Sequence, residues 1–441
     1  MKIGLIALSG VRIRNEKLLK LGVTLPQFVS RGKVIAQLPS LSLLIIAALT
    51  PGDIEVDYVE IQDAAQGNKI HFNYDLVAIT SYSAQIHEAY QLAGMFRKKG
   101  IPVIIGGLHV TAEPEEAKEF ADSVVIGEAE PLWPKVLKDF RNGRLKPYYK
   151  EDQPGAYNLS KSPIPRYGLL SRGNYNRITV QTSRGCPHSC EFCAGSRLLG
   201  AGFRQKPVDL IVQEIKAIKK FWGSHFIEFA DDNTFVNKSW AKEFLKALIP
   251  LGIRWFTETD ISVADDKELL QLMYLSGCYQ VLIGLESTNK ENLRGLDDAH
   301  WKLKRSGRYL EGINKIQSNG ITVNGCFVVG FDNDTPAIFK EIRDFIKKSR
   351  LLEAQVTVLT PFPGTPLYKR LKSEGRLFKD KYWDRCTMFD LNFKPKGITP
   401  AELEKGLLWL YREIYNEREY LRRKRYYMDI IKTLPGRNQN E

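Results

Sequence analysis

The sequence predicts an α/β protein made of an N-terminal Rossmann-like parallel sheet, a partial (β/α)6 TIM-type barrel and a small helical C-terminal region. Three observations predict it. Apolar strand-like runs alternate with helical segments over residues 1–150, and a second alternation of the same kind begins at residue 177. Between them, EDQPGAYNLSKSPIPRYGLLSRGNYN at 151–176 is rich in Pro, Gly and Ser, lacks periodicity and reads as a linker. At 441 residues the chain exceeds the usual reach of one hydrophobic core. The expected divisions are therefore 1–150, the linker 151–176, the barrel 177–375 and the helical region 376–441.

In chain order, MKIGLIALSG (1–10) reads as the first strand; it is too short to span a membrane and lacks the small-residue cleavage pattern of a secretory signal. The apolar stretch Leu38–Thr50 is interrupted by serines and falls short of the roughly 20 residues a bilayer needs, so a buried helix is expected. IEVDYVEI (54–61), YDLVAITSY (74–82), IPVIIGG (101–107) and SVVIG (123–127) follow as strands, with IHEAYQLAGMFRKKG as a helix among them. Strands and helices in this order make a doubly wound sheet, whose ligands lie at the carboxyl ends of its strands. Those ends carry Ser81 and Ser83, Gly106 and Gly107, and Gly127 followed by Glu128. Glycine there lets the backbone approach something flat or bulky. Ordinary tight turns account for the same residues.

The second alternation supplies six strands: ITVQTSR (178–184), HFIEFADD (225–232), IRWFTETD (253–260), YQVLIGLES (279–287), TVNGCFVVGF (322–331) and AQVTVLTP (354–361). Helical patterns such as PVDLIVQEIKAIKKFWG separate them, and a barrel of this kind works at the carboxyl ends of its strands. No repeat of solenoid period relates the two halves. Past PFPGTPLYKRL the pattern is helical. The net charge of +13 is concentrated there, with 18 Lys and Arg against 11 Asp and Glu over residues 369–441, including RRKRYY at 422–427. Such a run reads either as a solvated helix face or as a surface for the phosphates of lipid or nucleic acid.

A chain with 43% hydrophobic residues needs no covalent staples, and its six cysteines are clustered unevenly, which favours a cofactor site in a reducing compartment, the cytoplasm. RGCPHSCEFCAG (184–195) places Cys186, Cys190 and Cys193 in the loop after the first barrel strand, spaced C-x-x-x-C-x-x-C. Three thiolates so close can wrap one face of a cubane iron–sulfur cluster and leave one iron without a protein ligand. That open iron can chelate the amino and carboxylate groups of S-adenosylmethionine. Structural zinc needs four ligands, and His188, inside the loop, would strain tetrahedral geometry as the fourth. A disulfide with a spare thiol conflicts with the compartment. Cys278, Cys326 and Cys386 lie far apart, with core packing as their default.

The motif C-x-x-x-C-x-φ-C, with Phe192 as the aromatic residue, resembles that of radical S-adenosylmethionine (SAM) enzymes, and the resemblance runs over the whole barrel. It implies a [4Fe–4S] cluster on Cys186, Cys190 and Cys193. It also implies SAM contacts from Phe192, from Asp231 and Asp232 in EFADDNTF, from Glu258 in TETD and from Glu286 in IGLES. The aspartates would accept hydrogen bonds from the methionyl ammonium, and the glutamates would take that ammonium or ribose hydroxyls. Singly, each of these acids also suits a cap or a surface charge. VGFDNDT and TPFPGTPLY are similar to segments of the same branch.

IIGGLHVTAEPEEA and DSVVIGEAEPLWPKVL resemble the cobalamin-binding domain that precedes the barrel in one large branch of these enzymes. The chain departs from relatives that ligate cobalt through histidine: LSGVRIRNEK stands where they carry Asp-x-His-x-x-Gly. The implied cobalamin is base-off, held by Ser81, Ser83, Gly106, Gly107, His109, Gly127 and Glu128. For His109 the expected role is a hydrogen bond to the corrin or its tail rather than to cobalt. A sheet kept only as scaffold is the alternative. LNFKPKGITPAELEKGLLWLYREIYNEREYLRRKRY is similar to the C-terminal extension of enzymes that methylate hopanoid lipids, although the helical spacing of Leu403, Leu407, Leu410 and Ile414 is explained by packing alone.

The resemblances imply an enzyme and the cysteine usage a cytoplasmic one, peripheral to the inner face of the membrane only if the basic C-terminal region meets lipid rather than water. It would methylate an unactivated carbon of a lipid, an isoprenoid or another small molecule and take electrons from a low-potential donor such as flavodoxin or ferredoxin. No single residue is marked as catalytic. One rival is a radical cyclase or rearrangement enzyme with the same cofactors; another is a non-catalytic cobalamin or iron–sulfur carrier. Methylthiolation of transfer RNA has only the net charge behind it, since the second cysteine trio of such enzymes is missing, and nucleic acid is not an expected partner.

Overall fold

The computed structural model of the chain describes residues 1–8, 10–22, 34–62, 70–171, 173–199, 202–223 and 226–434. The chain forms two compact units. The first holds the described residues up to 223 together with Thr360–Asn392, and the second holds Phe226–Leu359 and the described residues from Phe393 to Leu434.

In the first unit, six parallel strands form one sheet: β1 (Lys2–Leu8), β2 (Glu55–Ile61), β3 (Leu76–Thr80), β4 (Val103–Gly106), β5 (Ser123–Ile126) and β6 (Tyr148–Lys150), in the order β2-β1-β3-β4-β5-β6. Ile3 pairs with Val56 on one side and Leu76 on the other. The strands are apolar on both faces because both faces are covered. Ile6, Leu8, Val77, Ile79, Val103 and Ile105 pack in one core with helix α2 (Ile86–Arg97), while Ile3, Leu5, Ala7, Leu76, Ala78 and Ile104 pack in the other with α1 (Leu41–Leu49) and α3 (Trp133–Arg141). Alternate residues thus feed alternate faces, as the pleat requires. The helix expected within Leu38–Thr50 is α1.

Three features of this unit depart from the sequence reading. The edge strand β6, with only Tyr149 turned inward, is too short to give a periodic signal. The stretch read as a linker buries Leu159, Tyr167 and Tyr175, and the Tyr167 hydroxyl donates to the carbonyl of Thr179 at 3.1 Å, so it is packed structure. The strand expected at 178–184 is broken into β7 (Ile178–Val180) and a two-residue piece, Ser183–Arg184, paired antiparallel with Arg204–Gln205. After these comes α4 (Val208–Trp222). The first unit also takes in 360–392, which the sequence reading divides between barrel and C-terminal region. Trp383 explains part of this: its indole N–H donates to the buried Glu116 at 3.0 Å.

The second unit contains five parallel strands that neighbour one another in chain order: β8 (Phe226–Phe229), β9 (Arg254–Thr259), β10 (Cys278–Glu286), β11 (Thr322–Val329) and β12 (Glu353–Val358). His225, the first residue expected in β8, lies outside the described residues. Between the strands run α5 (Lys238–Leu248), α6 (Lys267–Leu275), α7 (Tyr309–Ser318) and α8 (Ile338–Ser349). Sequential parallel strands with helical crossovers are the barrel-type arrangement, in contrast to the reversing order of the first sheet. Two helices close the chain, α9 (Pro400–Ile414) and α10 (Glu417–Thr433). Helix α9 begins at a capping box between Thr399 and Glu402 and buries Leu403, Leu407, Leu410 and Ile414, the four positions expected from spacing.

Candidate cofactor site

Cys186, Cys190 and Cys193 lie on the segment 185–203, between the two short paired strands. The path is tightly bent: Gly185 has φ +89° and Ser189 φ +48°. The N–H of Cys193 donates to the carbonyl of Cys190 at 3.1 Å, and Cys193 caps the short helix Ala194–Leu198. Two outside supports hold the turn. Arg370 donates to both carboxylate oxygens of Glu191, at 3.0 and 3.3 Å, and the Leu367 N–H donates to the Glu191 carbonyl at 3.1 Å. Cys190 is buried and the other two thiols and Phe192 are half-buried; no two of the six cysteines form a disulfide. Among the described residues, no group of three His, Cys, Asp or Glu side chains is arranged to hold one metal ion. As a donor set, three thiols on one short turn, none locked in a disulfide, fit a cluster that takes sulfur at three of its irons.

The expected cobalamin residues gather at the carboxyl ends of β3, β4 and β5, next to the point between β1 and β3 where the sheet order reverses. Gly106 and Gly107 differ in kind. A Cβ on Gly106 would come no nearer than 3.6 Å to Val125, an ordinary contact. On Gly107, whose φ is +117°, it would lie 2.9 Å from the Ser81 carbonyl oxygen, so only glycine lets these two strand ends approach. Gly127 (φ +87°) donates its N–H to Thr111 Oγ1 at 3.0 Å. Tyr82, between Ser81 and Ser83, is 61% exposed, an aromatic ring left at the open end of β3. Small residues, a close backbone approach and this exposed ring fit a flat group lying on the strand ends.

Two of the seven expected residues face inward instead. His109 is fully buried, its Nδ1 3.1 Å from Ser83 Oγ, its Nε2 3.5 Å from Glu116 and its ring edge-on to Trp383 at 5.2 Å. Burial pushes the Glu116 carboxyl up, but the nearby His109 and the contacts from Trp383, Tyr90 and Lys381 outweigh it and hold it low, at about 2. His109 thus sits beside that buried group with Nδ1 on Ser83, while its Nε2 makes no hydrogen bond among the described residues. Glu128 is likewise occupied: its carboxylate bridges Arg184 and Arg204, the latter at 2.8 Å, and accepts the Tyr157 N–H at 3.2 Å. Burial raises its carboxyl, yet the two guanidiniums hold it below the ordinary range. Neither Arg184, Arg204 nor Glu116 was singled out from the sequence. The available signal was the acidic pair of GEAE against the arginine of TSRGC.

The four carboxylates expected to contact SAM fall in the second unit, at or just past the carboxyl ends of β8, β9 and β10. Asp231 is buried and accepts from Thr234 Oγ1 at 3.0 Å, while Asp232 is exposed. Glu286 has φ +64° at an irregularity in the β10–β11 pairing, and Lys302 Nζ binds its carboxylate at 2.6 Å and the Gly284 carbonyl at 2.9 Å. Lys302 is another residue the sequence did not announce. Glu258 is reached by solvent yet crowded by protein. That crowding, followed by the charges of Glu228, Asp232, Asp231 and Glu286, pushes its carboxyl up to about 8. Cys326, on β11 opposite Gly284, has its thiol pushed well above the ordinary value by burial and then by the charges of Glu258 and Glu286.

Comparison with known proteins bears on these features. Residues 180–346 match the Radical SAM superfamily and residues 30–137 the B12 binding domain. The chain thus carries a radical SAM domain and a B12-binding domain. Residues 365–441 match a domain of unknown function, DUF4070. It is 28% identical to bacteriochlorophyllide d C-12(1)-methyltransferase of Chlorobaculum tepidum, over 87% of this chain and 84% of that one. It is also 28% identical to the hopanoid C-2 methylase of Rhodopseudomonas palustris, over 79% and 67%, and 24% identical to the anaerobic magnesium-protoporphyrin IX monomethyl ester cyclase of Cereibacter sphaeroides, over 86% and 67%. Among solved structures, the cobalamin-dependent S-adenosylmethionine radical enzyme OxsB superposes with a TM-score of 0.69 at 15% identity, covering 97% of this chain and 70% of that one, which shows the shared fold. These likenesses are to cobalamin-dependent radical SAM methyltransferases and a related cyclase, and they mark the chain as an enzyme. Its domains imply a [4Fe–4S] cluster, SAM and cobalamin as cofactors. Among the described residues, no helix is long and apolar enough to cross a membrane.

Proposed function

We propose that this radical SAM enzyme methylates an unactivated carbon of an apolar small molecule, with a lipid or isoprenoid as the first candidate substrate. The observation that carries the reading is a turn of three thiols in one chain with a B12-type sheet whose strand ends are glycine- and serine-lined. When bound, the cofactors supply reductive cleavage of a sulfonium and a carrier for a methyl group. The chain supplies placement. Cys186, Cys190 and Cys193 would hold the cluster by three corners, and Phe192 would lie against SAM. Asp231 and Asp232 would accept the methionyl ammonium, Glu258 and Glu286 its other polar groups, and Lys302 keeps the Glu286 carboxylate in place. Ser81, Ser83, Gly106, Gly107 and Gly127 would cradle cobalamin.

The relative that methylates a hopanoid, a lipid, supports an apolar substrate. On α10, Arg418, Leu421, Arg422, Arg425 and Met428 are all exposed, a mixed basic and apolar surface that suits anionic lipid headgroups at about 1 kcal/mol per well-placed cation. A flavodoxin or ferredoxin would supply electrons.

Anaerobic purification and reconstitution, with iron, sulfide and cobalt analysis and a visible spectrum, tests both cofactor assignments. Wild type is expected to bind all three elements. Alanine at any one of the three loop cysteines should lose the cluster and keep cobalt; zinc in place of iron overturns the reading. The cyclase relative favours a second reading, ring formation without methyl transfer. One SAM consumed per product supports that reading, and two support methylation.

A further inference from the structure

The loop that carries the three cysteines has a narrow neck, and the residues closing it bear like charges. Its ends are the antiparallel pair Ser183–Arg184 and Arg204–Gln205, in the register Ser183 to Gln205 and Arg184 to Arg204. This register puts two guanidiniums directly opposite each other, an arrangement that destabilises a strand pair unless it is neutralised. The backbone itself is close-packed there, since a Cβ on Gly185 would lie 2.5 Å from the Gly202 carbonyl oxygen.

Neutralisation comes from the turn after β5. Glu128 gives one carboxylate oxygen to Arg184 and the other to Arg204, the second at 2.8 Å. Arg184 also meets Glu130 at 2.7 Å and Gln181 at 2.8 Å, and Arg204 donates to the Tyr157 carbonyl at 3.0 Å. Glu128 is the one carboxylate that these contacts place on both arginines, and its residue is 3% exposed. Losing it would leave two largely buried cations opposed across the neck with a single acid, Glu130, on one of them; an uncompensated buried charge is strongly unfavourable.

We propose that Glu128 pins the neck of the cysteine loop shut, as a positioning residue for the three thiols rather than a contact to cobalamin. The role of those thiols as cluster ligands rests on the function proposed above; the closure of the neck does not.

Two titrations of the full chain, free of cluster and kept anaerobic, test this. In one, a thiol reagent is added and labelling of the buried Cys190 is followed by peptide mass spectrometry; in the other, hydroxocobalamin binding is measured. Glu128→Gln is expected to speed Cys190 labelling about tenfold, the scale of one lost charge-assisted hydrogen bond, and to leave the cobalamin Kd within about twofold. The double variant Glu128→Gln with Arg204→Gln is expected to bring the labelling rate back toward wild type, because it removes one of the two opposed cations. General unfolding would not be repaired by a second deletion. Unchanged labelling in Glu128→Gln, a cobalamin affinity about tenfold weaker without faster labelling, or a double variant that labels as fast as the single one each overturns the proposal. Iron and sulfide uptake by wild type is read separately. A chain that takes no cluster defeats the functional reading, while the labelling rates still report on the neck.

Discussion

Glu258 is held by competing demands. Crowding and the neighbouring Glu228, Asp232, Asp231 and Glu286 push its carboxyl up, toward about 8, although solvent reaches it. An unfolded glutamate ionises near 4.3. The folded chain therefore binds the proton more tightly, and stability falls as pH rises from the unfolded value through about 8, where the carboxylate must ionise among four others. Glu258→Gln cannot ionise. In the cofactor-free chain its Tm is expected to match wild type at pH 4 and to exceed it at pH 9, as measured by thermal unfolding across that range. A difference that does not grow with pH contradicts this account. The acids themselves were legible in the sequence, since each follows an apolar run. Their mutual effect was not, because it depends on three strand ends being neighbours. His109 and Glu128 teach the converse: both stand in family-like motifs, yet Trp383 beside His109, and Arg184 and Arg204 on Glu128, come from distant parts of the chain, Arg184 being 56 positions from Glu128.

Among the elements, α9 is where local signal and tertiary packing agree. Thr399 and Glu402 announce its start, and Leu403, Leu407, Leu410 and Ile414 face inward. Gly406 lies so close to the Phe339 ring of α8 that a Cβ there would overlap it, which explains a glycine inside a helix. Leu407→Ala is expected to lower stability by about 2–5 kcal/mol in urea unfolding, whereas Arg418→Ala, on the exposed side of α10, should stay within about 0.5 kcal/mol. Long strands such as β1 and β10 were equally legible, because an apolar run of that length must be buried. The two-residue pair at the cysteine neck and the three-residue β6 were not: so short a strand exists only because a partner is already in place.

For the whole molecule, the chain combines a radical SAM region, a B12-binding region and a basic C-terminal region within a net charge of +13. The proposed apolar substrate and the basic surface point the same way. When cells are fed methyl-deuterated methionine, their lipid extract is expected to contain a labelled species that vanishes when the gene is deleted, as read by mass spectrometry. Identical lipid profiles with and without the gene rule out the lipid assignment and leave other apolar small molecules.

The sequence by itself determined the chemistry on offer: three thiols at a spacing that serves a cluster, two successive α/β alternations, and acids at strand ends. These are local properties, set by residue type and by periods of two and 3.6. Only the tertiary structure decided which polar side chains remain open to a cofactor and which are consumed inside the protein. A buried charge takes whichever partner the fold brings within about 3 Å, and that proximity is a property of the folded chain rather than of neighbouring letters.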